Sequence, residues 1–341
     1  MKCGVMIIGP MTEISRQDSQ PSSHPSAAPS VGAVRLSDWG VMRAQGEEAA
    51  KFLHSQLTQD LALQTTSQAR LAGYCSPKGR LLATMVAVKP DDQTVLMALP
   101  ADVLPATLKR LSMFVMRAKC KLTDASADWA VWGLAGEPAA QWLQARLGEA
   151  PPAAVWTVGR AEVDGAQVLV TRLPDDGTGP RFLMLQPAVA PAPTLPALAE
   201  AEWQGLDVRA GLAWVRQATV EQFVPQMLNL ELIGGVNFQK GCYPGQEIVA
   251  RSQYRGTIKR RTQAFALADG TVAQLGQEIF HSEDPEQPAG MVAALGEQAG
   301  HPLVLAEVKL AALEAGSLHL GSAAGPVLTP RALPYTIGEP Q

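Results

Sequence analysis

Apolar positions along this chain fall into short runs and helical stripes, and each grouping predicts an element. Between residues 47 and 61, Ala49, Phe52, Leu53 and Leu57 keep to one side with Gly46 ahead of them, which predicts a helix. Residues 81–88 and 94–99 are apolar runs of strand length, parted by a turn at Asp91-Asp92. Leu104, Leu108, Leu111 and Val115 recur every three or four residues, a helical stripe whose ordinary meaning is core. The same order then returns: a strand over 129–134, a helix over 137–147, a break at Pro151-Pro152, and strands over 168–171 and 182–185. Pro187, Pro191, Pro193 and Pro196 mark a connection, and a helix is expected over 195–203. After Arg261 the pattern changes. Short apolar segments at 263–267, 291–295 and 302–310 are separated by Gly, Pro and Asp, which predicts a small all-β unit, most simply a barrel. No long Val/Ile-rich parallel strands occur and no glycine-rich fingerprint follows a strand. The class is α+β with an all-β C-terminal part.

Composition narrows this further. With 341 residues, 47% hydrophobic and 18% charged, the chain is an ordinary globular one of two or three domains, and a net charge of −4 gives no bulk case for nucleic acid. No apolar run reaches the roughly 18 residues of a membrane span. Cys3, Cys75, Cys120 and Cys242 stand far apart, which suits a reducing cytoplasm better than a disulfide framework. Residues 1–10 lack the long apolar core of a signal peptide. Residues 11–30 are rich in Ser and Pro and are expected to form a disordered tail, with Met11 an alternative to Met1 as the start.

The richest chemistry lies in Lys240-Gly241-Cys242-Tyr243-Pro244-Gly245-Gln246-Glu247. Tyr243 to Gln246 reads as a type II turn, with Pro at its second position and Gly at its third. Helix formers follow, so Cys242 precedes a helix N-terminus, where unpaired amides and Lys240 favour thiolate. A packed, inert cysteine is the competing reading. Glu247 reads equally as a helix-start acid or a functional one, and Gly241 and Gly245 as backbone devices.

This string resembles the K-G-C-[FY]-x-G-Q-E motif of the YgfZ family of folate-binding proteins, relatives of the glycine cleavage T-protein. Phe223-Val224-Pro225-Gln226, Asn229-Leu230-Glu231-Leu232 and the stretch Arg209 to Trp214 are similar to further segments of that family. So are Phe52-Leu53 to Leu57-Thr58-Gln59-Asp60, and Tyr74-Cys75-Ser76-Pro77-Lys78-Gly79-Arg80. The resemblance implies a three-part cloverleaf around a central folate cavity, divided as a tail (1–30), a T-protein-like folate-binding region of two α+β subdomains (31–258) and a C-terminal β-barrel (259–341). It implies tetrahydrofolate as cofactor, with Tyr74, Arg251 and Arg255 as candidate contacts. Cys242, Lys240 and Glu247 become the catalytic candidates, with Gly241, Tyr243, Gly245 and Gln246 as supporting motif positions. The implied function is assistance to iron–sulfur cluster assembly or repair, including clusters of tRNA-modifying enzymes, in the cytoplasm. A folate-dependent one-carbon transferase acting on protein or tRNA is the alternative, and a binding module without chemistry the third reading.

Two departures bear on turnover. Where T-proteins carry paired acids, this chain reads Gly79-Arg80-Leu81-Leu82-Ala83-Thr84, and the T-G-E-x-G stretch becomes Gly177-Thr178-Gly179. Neither place offers the carboxylate that aminomethyl transfer needs, so enzymatic turnover stays open. No C-x-x-C and no histidine at metal-ligand spacing accompany Cys242, and no permanent metal is expected. The cations Arg251, Arg255, Lys259, Arg260 and Arg261 read as a solvated face or as an anion site for folate's glutamate tail, with tRNA a further candidate partner.

Overall fold

The computed structural model describes residues 30–163, 165–254 and 258–337. The expected tail and Arg255 thus lie outside the described residues, apart from Ser30. Three antiparallel sheets carry the architecture. The first has the order β3-β4-β5-β2-β6 and is formed by β2 (Trp39–Gln45), β3 (Ala69–Cys75), β4 (Leu81–Asp91), β5 (Thr94–Pro100) and β6 (Lys121–Asp124). The second runs β1-β7-β10-β9-β8 and comprises β1 (Gly32–Arg35), β7 (Trp129–Ala135), β8 (Val158–Val163), β9 (Ala166–Leu173) and β10 (Arg181–Pro187). The third is a curled six-stranded sheet, a half-barrel, ordered β15-β12-β13-β14-β11-β16. It is built from β11 (Arg260–Ala266), β12 (Glu278–His281), β13 (Asp284–Gln298), β14 (His301–Lys309), β15 (Leu318–Leu320) and β16 (Thr329–Arg331).

Among the described residues, five α-helices dress these sheets: α1 (Ala49–His54), α2 (Leu104–Ser112), α3 (Glu137–Leu147), α4 (Glu200–Arg209) and α5 (Gln246–Tyr254). The stripe on α2 buries Leu104 and Leu111 against the first sheet, as its period requires. α3 ends where Gly148 takes φ 71°, a left-handed C-terminal stop.

Two helices differ from the sequence expectation, each because its backbone bonds elsewhere. The helix expected over 47–61 covers only Ala49–His54. Beyond it Leu57 bridges Tyr74, while Thr58 N–H donates to Gly73 O and the Thr58 hydroxyl donates to Gly235 O. The helix expected over 195–203 starts at Glu200, since Ala197 bridges Ala33 and Leu198 N–H donates to Ala33 O.

The main core lies where the first two sheets, the connection after α4 and the third sheet meet, with Trp39 and Trp214 edge to face at 4.8 Å. A buried charge network anchors that junction. Arg181, fully buried, pairs with Asp207, donates to Leu206 O and lies over the Trp203 ring at 4.5 Å. Trp214 Nε1–H donates to the other Asp207 oxygen at 3.1 Å. Burial pushes the Asp207 carboxyl up, against the pull of Arg181.

The connection between α4 and α5 joins the rest. Asn229, at φ 53°, donates through Nδ2 to Thr262 O on β11, and Arg261 pairs with Glu231. Gln226 Nε2–H donates to Val249 O on α5 at 2.7 Å. The segments 223–226 and 229–232 thus fix both α5 and the third sheet.

Candidate functional site

Residues 243–246 form the turn that the sequence predicts. Gln246 N–H donates to Tyr243 O, and Gly245 sits at φ 80°, the positive φ of a type II turn's third residue. Gly245 is required twice over: a Cβ there would lie 2.4 Å from Ser76 O and 2.7 Å from Gly79 Cα. The two glycine turns, 76–79 and 243–246, are therefore pressed backbone to backbone. α5 begins at Gln246, with Glu247 exposed in its first turn.

Cys242 is exposed, one residue before this turn. Its neighbour Lys240 is half-buried, and Nζ donates to the carbonyls of His54 and Leu57, at 2.8 Å for Leu57, while lying 4.7 Å from the centre of the Tyr243 ring. Burial lowers Lys240 from 10.5 to about 8, with Asp60 and Cys242 pulling the other way. Tyr243 is buried, and burial raises its phenol above the ordinary range.

Lys240 and the residues ahead of it bind the motif to the 52–60 segment, a juxtaposition that sequence spacing does not show. Asn237 N–H donates to Thr58 O, Gln59 Nε2–H to Gly234 O, and the Thr58 hydroxyl to Gly235 O. Beside them His54 Nδ1 lies 2.9 Å from Asp60 Oδ1. Burial acts to raise the Asp60 carboxyl, but the Leu63 amide and His54 outweigh it and hold it below the ordinary carboxylate range. His54 and Asp60 are the residues sequence reasoning missed. They stand six positions apart in a segment read as a helix and for its family likeness.

Cys75 does not join Cys242 as a second working thiol. It is buried at the end of β3, and burial pushes it up to about 12. Among the described residues no group of three His, Cys, Asp or Glu side chains converges to hold a metal ion.

Tyr74 projects from β3 to the opposite side, into a cavity of about 270 Å³. Its walls include Tyr74, Leu82, Val103, Thr107 and Val220, with Lys109 and Arg110 among the lining groups. Burial raises the Tyr74 phenol, and Arg110 beside it acts in the opposite direction. Arg251 is exposed on α5 and does not line this cavity. Arg260 and Arg261 are not a free anion site: they pair with Glu307 and Glu231. The place of the T-protein acids is filled by buried Ala83 and Thr84, and the Thr84 hydroxyl accepts from Val215 N–H at 2.9 Å.

The GCVT N-terminal domain family matches residues 14–174. A Klebsiella pneumoniae protein named tRNA-modifying protein YgfZ is 31% identical over 270 residues, 76% of this chain and 78% of that one. The Colwellia psychrerythraea protein of the same name is 27% identical over 329 residues, 91% of this chain and 94% of its own length. The crystal structure of glycine cleavage system aminomethyltransferase T from Bartonella henselae superposes with a TM-score of 0.71 at 17% identity, covering 90% of this chain and 87% of the other. The fold is therefore T-protein-like.

Proposed function

The chain belongs to the YgfZ family, and from that membership we propose that it is a folate-binding protein assisting iron–sulfur cluster assembly or repair through Cys242. The relatives' name, tRNA-modifying protein, links the role to tRNA modification. In this reading the clusters are cargo of tRNA-modifying and other client enzymes, and Cys242 supplies a reactive thiol rather than a resident metal site. The observation that carries it is the placement of Cys242: exposed, yet set in a loop bound to the 52–60 segment by Lys240 and pressed against the 76–79 turn by Gly245. Chemistry at an exposed thiol needs a rigid frame to present it, and these contacts supply one.

The donor set of the Tyr74 cavity suits tetrahydrofolate. Leu82, Val103 and Val220 offer apolar walls for a flat ring, Thr107 and Tyr74 offer hydroxyls, and Lys109 and Arg110 offer cations for the glutamate carboxylates. Folate, when bound, supplies a one-carbon carrier or a regulatory ligand. Aminomethyl or other one-carbon transfer by the T-protein route is disfavoured, because Thr84 is neutral and its oxygen already accepts from Val215. Cytoplasmic residence and the division at 31–258 and 259–341 belong to the same proposal; no helix among the described residues is long and apolar enough to cross a membrane.

Cells lacking this chain, complemented with the wild type or with Cys242→Ser, test the reading through the activity of an iron–sulfur enzyme that modifies tRNA. Wild type restores activity and Cys242→Ser leaves it at the level of the empty control. Full restoration by Cys242→Ser, at equal protein abundance, overturns the reading.

A further inference from the structure

The His54–Asp60 pair carries an inference of its own. A carboxylate only accepts hydrogen bonds, so the 2.9 Å contact makes Nδ1 the protonated nitrogen, and in the neutral ring Nε2 then carries the lone pair. Nε2 has no hydrogen-bond partner among the described residues. It faces the motif: a Cβ built on Gly241 would lie 3.4 Å from it. The imidazole therefore packs against bare backbone one residue from Cys242. The two side chains are 21% and 12% exposed, whereas Cys242 is exposed, so the pair is largely shielded beside an open thiol. His281, His301 and His319, by contrast, are engaged within the C-terminal sheet by Ala315, Asp269, Ser317 and Gly325.

We propose that His54, oriented by Asp60, is the proton acceptor that activates the Cys242 thiol. The inference rests on the reading of Cys242 as the functional group and adds the base that reading lacks. On activation the Sγ–H proton passes to Nε2, leaving a thiolate beside an imidazolium that Asp60 stabilises. When the thiol re-forms, the proton returns by the same path. Lys240 does not compete for this role, since its Nζ is committed to the His54 and Leu57 carbonyls. The charged groups that contact His54 are Asp60, from the loop after α1, at Nδ1, and Lys240 of the motif at the His54 carbonyl, and Lys240 is in turn electrostatically coupled to Asp60 and Cys242.

The test uses the full chain with Cys3→Ser, Cys75→Ala and Cys120→Ser, so that only Cys242 reacts, and iodoacetamide as the probe. Sulfur bonds the methylene carbon and iodide leaves. At about pH 6.5, near the unperturbed histidine pKa, the parent reacts about tenfold or more faster than the His54→Gln variant. The parent's pH–rate profile carries an inflection that is lost in His54→Gln and displaced in Asp60→Asn. Thermal unfolding first matches each variant to the parent, and Asp60→Asn decides the matter if His54→Gln does not fold. Rates and profiles unchanged in the folded variants overturn the inference. A parent whose Cys242 fails to react across the pH range overturns the underlying reading instead.

Discussion

Gly245 and Ser76 are in backbone contact: a Cβ on Gly245 would stand 2.4 Å from the Ser76 carbonyl oxygen. That contact seats the Cys242 loop on the turn after β3. Gly245→Ala must both hold φ 80° and force the two turns apart. The conformational term alone costs about 1–2 kcal/mol, and the clash adds to it. Thermal unfolding should show a clear loss of stability. Limited proteolysis should show the first new cleavage within the 240–247 loop.

Lys240 gives a pH signature with a fixed sign. Its folded value, about 8, lies below the ordinary 10.5 because burial disfavours the charge. Between these values the unfolded chain binds the proton that the folded chain has released, so this group raises stability as pH climbs from about 8 to 10.5. Denaturant unfolding across that window should show the rise in wild type and its loss in Lys240→Met. A variant with the same slope as wild type would move the effect to another group.

The Arg181–Asp207 pair should be unforgiving to single changes. Asp207→Ala strands a fully buried guanidinium and unpairs Trp214 Nε1, and breaking such a pair costs about 3–5 kcal/mol. The expected result is a large drop in denaturation midpoint, and a loss below about 1 kcal/mol would show that the junction relaxes around the lone charge.

Folate binding assigns a measurable part to Arg110. If it meets the glutamate carboxylates in the Tyr74 cavity that it lines, Arg110→Ala removes a charge-assisted bond of about 1.5–3 kcal/mol. Calorimetric titration with tetrahydrofolate should then show a Kd raised about tenfold or more. An unchanged Kd would place folate in another cavity.

Much of this architecture is legible in the sequence where local chemistry dictates it. The Tyr243-Pro244-Gly245-Gln246 turn, the start of α5 at Gln246 and the run of α3 all follow from turn and capping residues and helical period. Long-range hydrogen bonding is what the sequence hides. Ala197 and Leu198 leave their helix to bond β1, and Thr58 ends another by bonding Gly73 and Gly235. β6 and β15 escape notice because four and three residues are too few to establish a period, and β8 because its apolar residues do not alternate. At the site, motif strings identify Cys242, Lys240 and Tyr74 but not their distribution in space. Tyr74 faces a cavity against α2, Cys242 faces solvent, and the basic run resolves into ion pairs at Arg260 and Arg261. The His54–Asp60 pair has no sequence signature at all, since its meaning comes from Gly241, far away along the chain.

A working thiol coupled to a folate site is tested by the alkylation rate of Cys242 in the folded chain lacking the other three cysteines, with and without saturating tetrahydrofolate. A thiol that reacts readily in the folded protein and changes its rate when folate binds is the predicted result. A thiol that is inert, or that reacts at one rate whether or not folate is bound, would contradict a folate-linked role for Cys242 and leave a T-protein-like fold used for binding alone.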